Sequence, residues 1–172
     1  WQNVPLTSKG RQQARDTGRL LPNIQCRSVW CSDLDRAEET AKLALEAWSI
    51  RTNQQPPMYK RAALRERRMG VFQGQQKSQL RKFNRLKVLK TWMQAPNLGE
   101  SFFQLSQRVF PCLVNIPSSS FIFAHGGVIR MIAGVSKGIP ASEWMYWNIP
   151  NATPITIEIP SEGWLKQLEN NI

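Results

Sequence analysis

The chain has 172 residues, of which 41% are apolar and 20% are charged, and this size and composition fit a single domain over residues 1–172. No apolar run approaches the roughly 18 residues of a membrane span, and no basic segment precedes an apolar one, so we expect neither a membrane partner nor a signal peptide. Lysine and arginine (23) outnumber aspartate and glutamate (12), and the net charge of +11 favours anionic ligands.

The cysteines and the single histidine restrict the chemistry further. Cys26, Cys31 and Cys112 are an odd set without CxxC spacing, which is typical of a reduced, cytoplasmic protein. Because His125 is the only histidine, the chain cannot build a metal site from several histidines.

The first half of the chain alternates between helix and strand patterns. Thr7 is suited to cap the first helix, while Gly70 and Gly74 mark a loop before the last one. Met93 belongs to the apolar face of that last helix. The predicted elements are, in order, a helix over 8–21, a strand over 28–31, a helix over 35–48, a strand over 58–64 and a basic amphipathic helix over 76–93.

The second half continues this alternation. A helix over 100–114 contains Pro111, which should kink or end it, and the unbroken apolar run that follows is typical of a strand covered on both faces. Pro154 places the last strand at an edge or gives its start. The predicted elements after the helix are a strand over 121–124, a helix over 128–135 and a strand over 153–159. Such alternation indicates an α/β protein with three α/β/α layers and a mostly parallel sheet.

The turn after the predicted strand 121–124 combines an imidazole with a backbone suited to anions. His125 is followed by Gly126 and Gly127, which permit close backbone approach, and the next helix directs its free N–H groups into the same space. Ligands of open α/β sheets bind beyond the carboxyl ends of the strands. The pattern indicates a phosphate site, and a histidine satisfied by a backbone carbonyl is the structural alternative.

The turn after the first predicted strand places a cation where a helix disfavours it. Arg36 lies in the first turn of the helix over 35–48, where the helix dipole opposes a positive charge by a few tenths of a kcal/mol. A phosphate held by the guanidinium fork would offset this cost. Neighbouring carboxylates offer a structural alternative, namely Asp33, Asp35, Glu38 and Glu39.

One carboxylate, Glu66, lies among arginines ahead of the Gly70 loop. Surface charge pairing is one explanation. The other is a general acid that protonates the leaving oxygen as a phosphate ester breaks, which requires that partial burial offset the arginines and raise the pKa of the carboxyl.

Five short segments in a fixed order resemble a known family. Together they are similar to the histidine phosphatase superfamily, which includes phosphoglycerate mutase, and most of all to its alpha-ribazole and broad-specificity phosphatases. The resemblance runs from Pro5 to about Ile159. The segments are Pro5-Leu6-Thr7 with Gly10 and Gln13-Ala14; Ser32-Asp33-Leu34 with Arg36-Ala37 and Thr40-Ala41; Leu64-Arg65-Glu66 with Gly70 and Gly74; Gly99-Glu100-Ser101; and His125-Gly126-Gly127-Val128-Ile129-Arg130.

This resemblance implies a phosphoglycerate mutase-like fold and a phosphatase that acts through phosphohistidine on a small phosphorylated metabolite. It implies that Arg36 clamps the phosphoryl group together with Gly126, and that His125 binds the group and stabilises the transferring charge. Glu66 would donate the proton to the leaving group. It implies no metal and no other cofactor.

The family's nucleophile is a histidine in an Arg-His-Gly segment at the end of a central first strand, and the given chain begins at Trp1, after that segment. We therefore expect negligible activity and a domain that lacks this strand, with its place between the strands that end at Ser32 and Ala124. Such a chain should be marginally stable alone. It should be a fragment, or another segment should fill the place of the missing strand. A partner chain should otherwise fill it, through self-association.

Two alternatives remain open. A non-catalytic protein that binds phosphate or polyanions would use its arginine-rich 61–90 segment as the working surface. A mutase-type phosphotransferase is disfavoured by the short chain between Gly74 and Gly99. The charges of the predicted helix over 76–93 favour a peripheral element that steers anions, and because no stacking aromatics accompany them we expect no specific nucleic-acid partner.

Overall fold

The computed structural model describes residues 1–75, 92–144 and 147–160, together with residues 163, 164, 166 and 169. Short 3-10 turns lie at Ala62–Leu64, Gly70–Phe72 and Ala141–Glu143. In this part of the chain, every helix is too short or too polar to cross a membrane. The helices are α1 (Ser8–Leu20), α2 (Asp35–Thr52), α3 (Phe102–Leu113) and α4 (Gly126–Ser136), and the strands are β1 (Ser28–Cys31), β2 (Met58–Lys60) and β3 (Ser120–Phe123).

The three strands form a parallel sheet in the order β2-β1-β3. Val29 of β1 is in register with Met58 on one side and with Phe121 on the other, so β1 is the central strand. The pairing of β1 with β3 continues past the strand ends, where the Ser32 N–H donates to the Phe123 carbonyl at 3.0 Å. All three carboxyl ends therefore lie at one edge of the sheet.

This strand order corrects one expectation. A further strand was expected between the strands that end at Ser32 and Ala124, and this is wrong because β1 and β3 bond to each other directly. Their facing backbone groups are already satisfied, so no strand can enter between them. β3, which leads to His125, pairs with β1 on one side. Within the described residues, no strand pairs with its other side.

The two faces of the sheet carry separate cores, as expected of strands whose side chains alternate in direction. Val29 and Phe121 face α2, where Trp48 packs edge-on against Phe121 with ring centroids 5.2 Å apart. Trp30 points to the other face and joins the apolar residues of α3 and α4. The predicted α/β/α layering and its parallel sheet are thus confirmed.

The helices α1 and α2 cross at a point where no side chain separates them. A Cβ built on Gly18 would lie 2.0 Å from the Ala44 carbonyl oxygen, a distance that only glycine avoids. Thr7 caps α1 as predicted, with its hydroxyl accepting the Gly10 N–H at 3.1 Å. The two helices begin side by side, and Arg11 bonds Glu39 across them.

Three predicted elements differ from the structure. The strand predicted over 58–64 ends at Lys60, because the chain then turns through Ala62–Leu64 to bury Leu64 in the core. The strand predicted over 153–159 is wrong: these residues form no strand, and no described strand pairs with them. The helix predicted over 76–93 lies outside the described residues except at its end, where Met93 sits in a turn and is 55% exposed, not on a buried face.

The helix α3 is capped more strongly than the sequence pattern indicated. Ser101 and Gln104 form a reciprocal capping box, which satisfies two backbone N–H groups at the start of the helix. Pro111 lies inside the last turn, and the helix ends at Leu113. The start of α3 is therefore firmly placed beside Glu100, the residue that precedes its cap.

Candidate functional site

The predicted site residues come from three loops at the carboxyl edge of the sheet. The chain passes from β1 through Ser32 into α2, where Arg36 occupies the first turn. From β3 it passes through Ala124 to His125, which precedes α4. Glu66 lies on the loop that follows β2.

His125 is the N-cap residue of α4 and is 8% exposed. Burial, together with the positive charges of Arg36 and Arg108, lowers its pKa from 6.5 to about 3. The imidazole is therefore neutral near pH 7. Its Nε2 atom is buried and has no hydrogen-bond partner within the described part of the chain. At this atom, the structure therefore does not show the alternative in which a backbone carbonyl satisfies the histidine. An unpaired buried polar atom is costly, and a ligand oxygen at this position would remove the cost.

Glu66 is half-buried, and its carboxylate caps the start of α4. It accepts the N–H of Gly127 at 3.0 Å through Oε1 and at 3.3 Å through Oε2, and the N–H of Arg67 at 2.8 Å. A Cβ at Gly127 would lie 2.5 Å from Glu66 Oε1. The second glycine after His125 is therefore needed for this approach, and Gly126 stays exposed at the same turn.

Arg36 is half-buried, and its guanidinium donates to the Gln2 carbonyl at 3.0 Å. Most of the carboxylates that could have offset its charge are engaged elsewhere. The positive charge of Arg36 acts on His125 and lowers its pKa, which places the two side chains in one electrostatic environment. The other pairs are Asp33 with Arg65, Glu38 with Lys42 and Lys60, and Glu39 with Arg11.

The pair formed by Asp33 and Arg65 ties the loop after β1 to the loop after β2. Both bonds of the guanidinium fork to the carboxylate measure 2.7 Å. The hydrogen bonds from Arg65 lower the pKa of Asp33. This negative charge opposes the effect of the arginines on His125, but burial and the arginines prevail.

Several residues around Glu66 were not predicted as part of the site. The Trp1 indole N–H donates to the Glu66 carbonyl, and the guanidinium groups of Arg65, Arg68 and Arg108 lie 5.0, 4.6 and 5.7 Å from the Trp1 ring centroid. Such contacts join residues far apart in sequence, and no local spacing indicates them. The resulting cluster places three guanidinium groups around the Trp1 ring, next to the Glu66 carbonyl.

The buried Arg67 and the half-buried Arg130 add to this positive environment. Arg67 stacks over Phe102 at 4.6 Å, and burial lowers its pKa. Arg130, on α4, has a buried Nε atom without a hydrogen-bond partner in the described residues. In the same residues no group of histidine, cysteine and acidic side chains is arranged to hold a metal ion. Guanidinium groups, a helix start and a neutral imidazole are the donors that a phosphate or another oxyanion would meet here.

Curated relatives match the chain over most of its length. The 2,3-bisphosphoglycerate-dependent phosphoglycerate mutase of Chlamydia muridarum (strain MoPn / Nigg) is 25% identical over 198 aligned positions, which cover 96% of this chain and 88% of the relative. The 2,3-bisphosphoglycerate-dependent phosphoglycerate mutase 2 of Gloeobacter violaceus (strain ATCC 29082 / PCC 7421) is 28% identical over 182 positions, with 98% and 80% covered.

Solved structures of similar fold include phosphatases. The mycobacterial glucosyl-3-phosphoglycerate phosphatase Rv2419c superposes with a TM-score of 0.65 at 25% identity, covering 85% of this chain and 74% of its own. TTHB049 from Thermus thermophilus gives a TM-score of 0.60 at 30% identity, with 80% and 73% covered. Bacillus stearothermophilus YhfR shares the fold with a TM-score of 0.72 at 24% identity, over 95% and 83%.

The family model of the histidine phosphatase superfamily (branch 1) matches residues 1–172. This match spans the loops that place Arg36, Glu66 and His125 at the carboxyl edge of the sheet, and it agrees with the fold of the solved relatives. The chain therefore belongs to the histidine phosphatase superfamily.

Proposed function

We propose that the protein is a phosphomonoesterase that acts through a phosphohistidine intermediate on a small phosphorylated metabolite in the cytoplasm. The observation that carries this proposal is the buried Nε2 atom of His125, which has no hydrogen-bond partner in the described residues. His125 is the N-cap of α4, and the positive charge of Arg36 acts on its imidazole. This combination provides neutral and charged donors for the oxygens of one phosphoryl group.

Each site residue then has a role in the two steps. Arg36 and His125 bind the equatorial oxygens, with the Gly126 turn of α4 close by. In the first step a nucleophilic histidine nitrogen forms a bond to phosphorus while the bond from phosphorus to the leaving oxygen breaks, and Glu66 gives that oxygen a proton. In the second step water attacks phosphorus, its proton returns to Glu66, and the nitrogen leaves as inorganic phosphate forms.

The nucleophile is not supplied by residues 1–172 in this proposal. The sequence holds a single histidine, and His125 is assigned the electrostatic role. The nucleophilic histidine would come from an Arg-His-Gly segment outside these residues. Such a strand would pair with the side of β3 that faces away from β1, which has no paired strand among the described residues. We therefore expect the 172-residue chain alone to be inactive. A partner chain is the other source of the strand that carries the Arg-His-Gly segment.

A mutase-type phosphotransferase is the second candidate, because the curated relatives are phosphoglycerate mutases. The short chain between Gly74 and Gly99 favours the hydrolase. A solved relative named as a glucosyl-3-phosphoglycerate phosphatase supports phosphate hydrolysis on this fold. A phosphate-binding protein without activity is the third candidate, and experiment separates all three.

The test is to add an Arg-His-Gly strand segment ahead of Trp1 and to measure phosphate release from a panel of small phosphate monoesters. Hydrolysis, together with an acid-labile phosphoryl adduct on the protein, supports the proposal. Transfer between hydroxyl groups of one substrate without release would indicate the mutase. Folded protein that binds inorganic phosphate and performs neither reaction would refute the enzyme and favour the binding protein. The matched control replaces the added histidine by glutamine.

A further inference from the structure

We propose that Glu100 and Arg108 form a positioning pair for Glu66, which holds the loop that carries this carboxylate against the start of α4. The role of Glu66 as proton donor rests on the proposed function, whereas its connection to the pair rests on contacts between the described residues. The Arg108 guanidinium is bound by the Glu100 carboxylate and by carbonyls of the loop that carries Glu66. The charge of Arg108 also acts on His125, whereas its effect on proton transfer would be exerted through the position of Glu66.

Arg108 reaches from α3 to the loop and donates to three of its carbonyl oxygens. These belong to Ala63, Arg65 and Glu66, at 2.6, 2.9 and 3.0 Å. The planar guanidinium presents five N–H donors in a fixed fork, so a single side chain can fix several carbonyls at once. The Arg108 side chain is 22% exposed, which limits competition from water.

Glu100 fixes the orientation of Arg108 and binds the loop from its other end. Its carboxylate accepts Arg108 Nε at 2.7 Å and Nη2 at 2.9 Å, a bidentate geometry that restricts rotation of the guanidinium. Glu100 also accepts the Arg68 N–H at 3.2 Å, and its own N–H donates to the Arg68 carbonyl at 2.8 Å. The loop is therefore held before and after Glu66.

The carboxylate of Glu66 lies at the start of α4, where the phosphate site is proposed. It accepts the N–H of Gly127, the second residue of α4, whose N-cap is His125. A general acid must lie within hydrogen-bond reach of the oxygen that it protonates, and a displacement of about 1 Å can cost a hundredfold in rate. Arg108 binds the backbone carbonyl of Glu66, and the carboxylate that donates the proton belongs to the same residue. A shift of the Glu66 backbone would therefore move its carboxylate.

Trp1 also donates to the Glu66 carbonyl, but it is the weaker candidate for this role. It makes one such bond and is 38% exposed, whereas Arg108 bonds three carbonyls and is itself oriented by a carboxylate. We therefore expect Trp1→Phe to have a smaller effect on the position of Glu66 than Arg108→Met.

The Gly127 amide provides a direct readout on the 172-residue chain, because its hydrogen bond exists only while Glu66 is in place. We would record its chemical shift and its hydrogen-exchange rate by NMR, with Glu66→Gln identifying the signal of the altered bond. In Arg108→Met, exchange at Gly127 should become roughly tenfold faster and its shift should move. The Ile129 amide, which bonds the His125 carbonyl at 2.9 Å, should keep its rate and serves as the internal reference.

The matched control is Arg51→Met, which removes a guanidinium that donates to a single distant carbonyl, that of Leu21. Arg108→Lys keeps the charge and loses the fork, so it should behave like Arg108→Met. If Arg108→Met does not fold, Arg108→Lys and Glu100→Gln provide the same comparison. The positioning pair is refuted if these variants lower the free energy of unfolding while the Gly127 shift and exchange stay as in the wild type, or if Arg51→Met changes them equally.

Titration with inorganic phosphate tests the proposed function separately. If phosphate leaves the His125 and Gly126 resonances unchanged, the phosphate site is wrong. The comparison at Gly127 requires neither phosphate nor activity, so it decides on the positioning pair in either case.

Discussion

The neutral imidazole of His125 should make the stability of this protein depend on pH between about 5 and 6.5. Its pKa is lowered from 6.5 to about 3 by burial and by the charges of Arg36 and Arg108, against the weaker opposing effect of Asp33. The unfolded chain binds a proton at His125 below pH 6.5, whereas the folded chain does so only near pH 3. Stability is therefore fully present above pH 6.5 and is lost progressively as the pH falls from 6.5 towards 3.

The size of this loss follows from the linkage between folding and proton binding. Across the window in which only the unfolded state is protonated, the free energy of unfolding falls by about 1.4 kcal/mol per pH unit. Between pH 6.5 and 5 this amounts to about 2 kcal/mol, a large part of the stability of a marginal domain. Because the sequence contains one histidine, no other side chain ordinarily titrates in this range.

The assay compares urea unfolding of the wild type and of His125→Gln at about pH 7, 6 and 5, at constant ionic strength. The wild type should lose about 2 kcal/mol relative to the variant over this range. Equal pH dependence in both proteins would refute the reasoning, since it would show that His125 titrates alike in the folded and unfolded chains. In saturating inorganic phosphate the difference should shrink, because a bound anion favours the protonated imidazole.

Three further outcomes are expected. Arg36→Ala should weaken the binding of inorganic phosphate roughly tenfold to a hundredfold, as expected for a charge-assisted bond; calorimetry checks this against Arg19→Ala, an exposed arginine of α1, and an equal loss in both would contradict it. Gly18→Ala should destabilise the chain by about 1–3 kcal/mol in urea unfolding, whereas Gly10→Ala in the same helix, where the nearest neighbours of a new Cβ are Leu6 and Thr7 side-chain atoms at 3.2 Å or more, should be close to neutral. The basic segment over 76–93 should bind DNA or RNA weakly and without sequence preference, and a nanomolar, sequence-dependent affinity at moderate salt would contradict this.

Local patterns predicted most of the elements because their causes are local. The cap at Thr7 and its bond to Gly10 lie within one helical turn, and the apolar run of β1 is buried along its whole length. The strand over 153–159 failed for the opposite reason. A strand exists only with a neighbour, and the alternation of side chains in this segment says nothing about whether a paired strand lies beside it.

The sequence offered candidate site residues, whose roles stay predictions, but it did not indicate how these residues connect. The resemblance indicated Arg36, Glu66 and His125 from short motifs. The partner of Arg36 is the Gln2 carbonyl, 34 residues away, and the carboxylate of Glu66 meets Gly127 across 61 residues. Such contacts depend on the order of the strands in the sheet. The prediction of this order was wrong beside β1, where β3 and not a further strand is the neighbour.

The close crossing of α1 and α2 has a consequence for access to Arg36. Because Gly18 touches the Ala44 carbonyl, the two helices can neither slide nor separate without breaking backbone contact. The chain before α1 is itself bonded to the start of α2, through the Gln2 carbonyl on Arg36 and through Asn3, whose side chain accepts the Asp35 N–H at 2.9 Å. An anion that takes the place of the Gln2 carbonyl on Arg36 needs to displace only a few residues of this short tether, and the helical layer behind it can stay where it is.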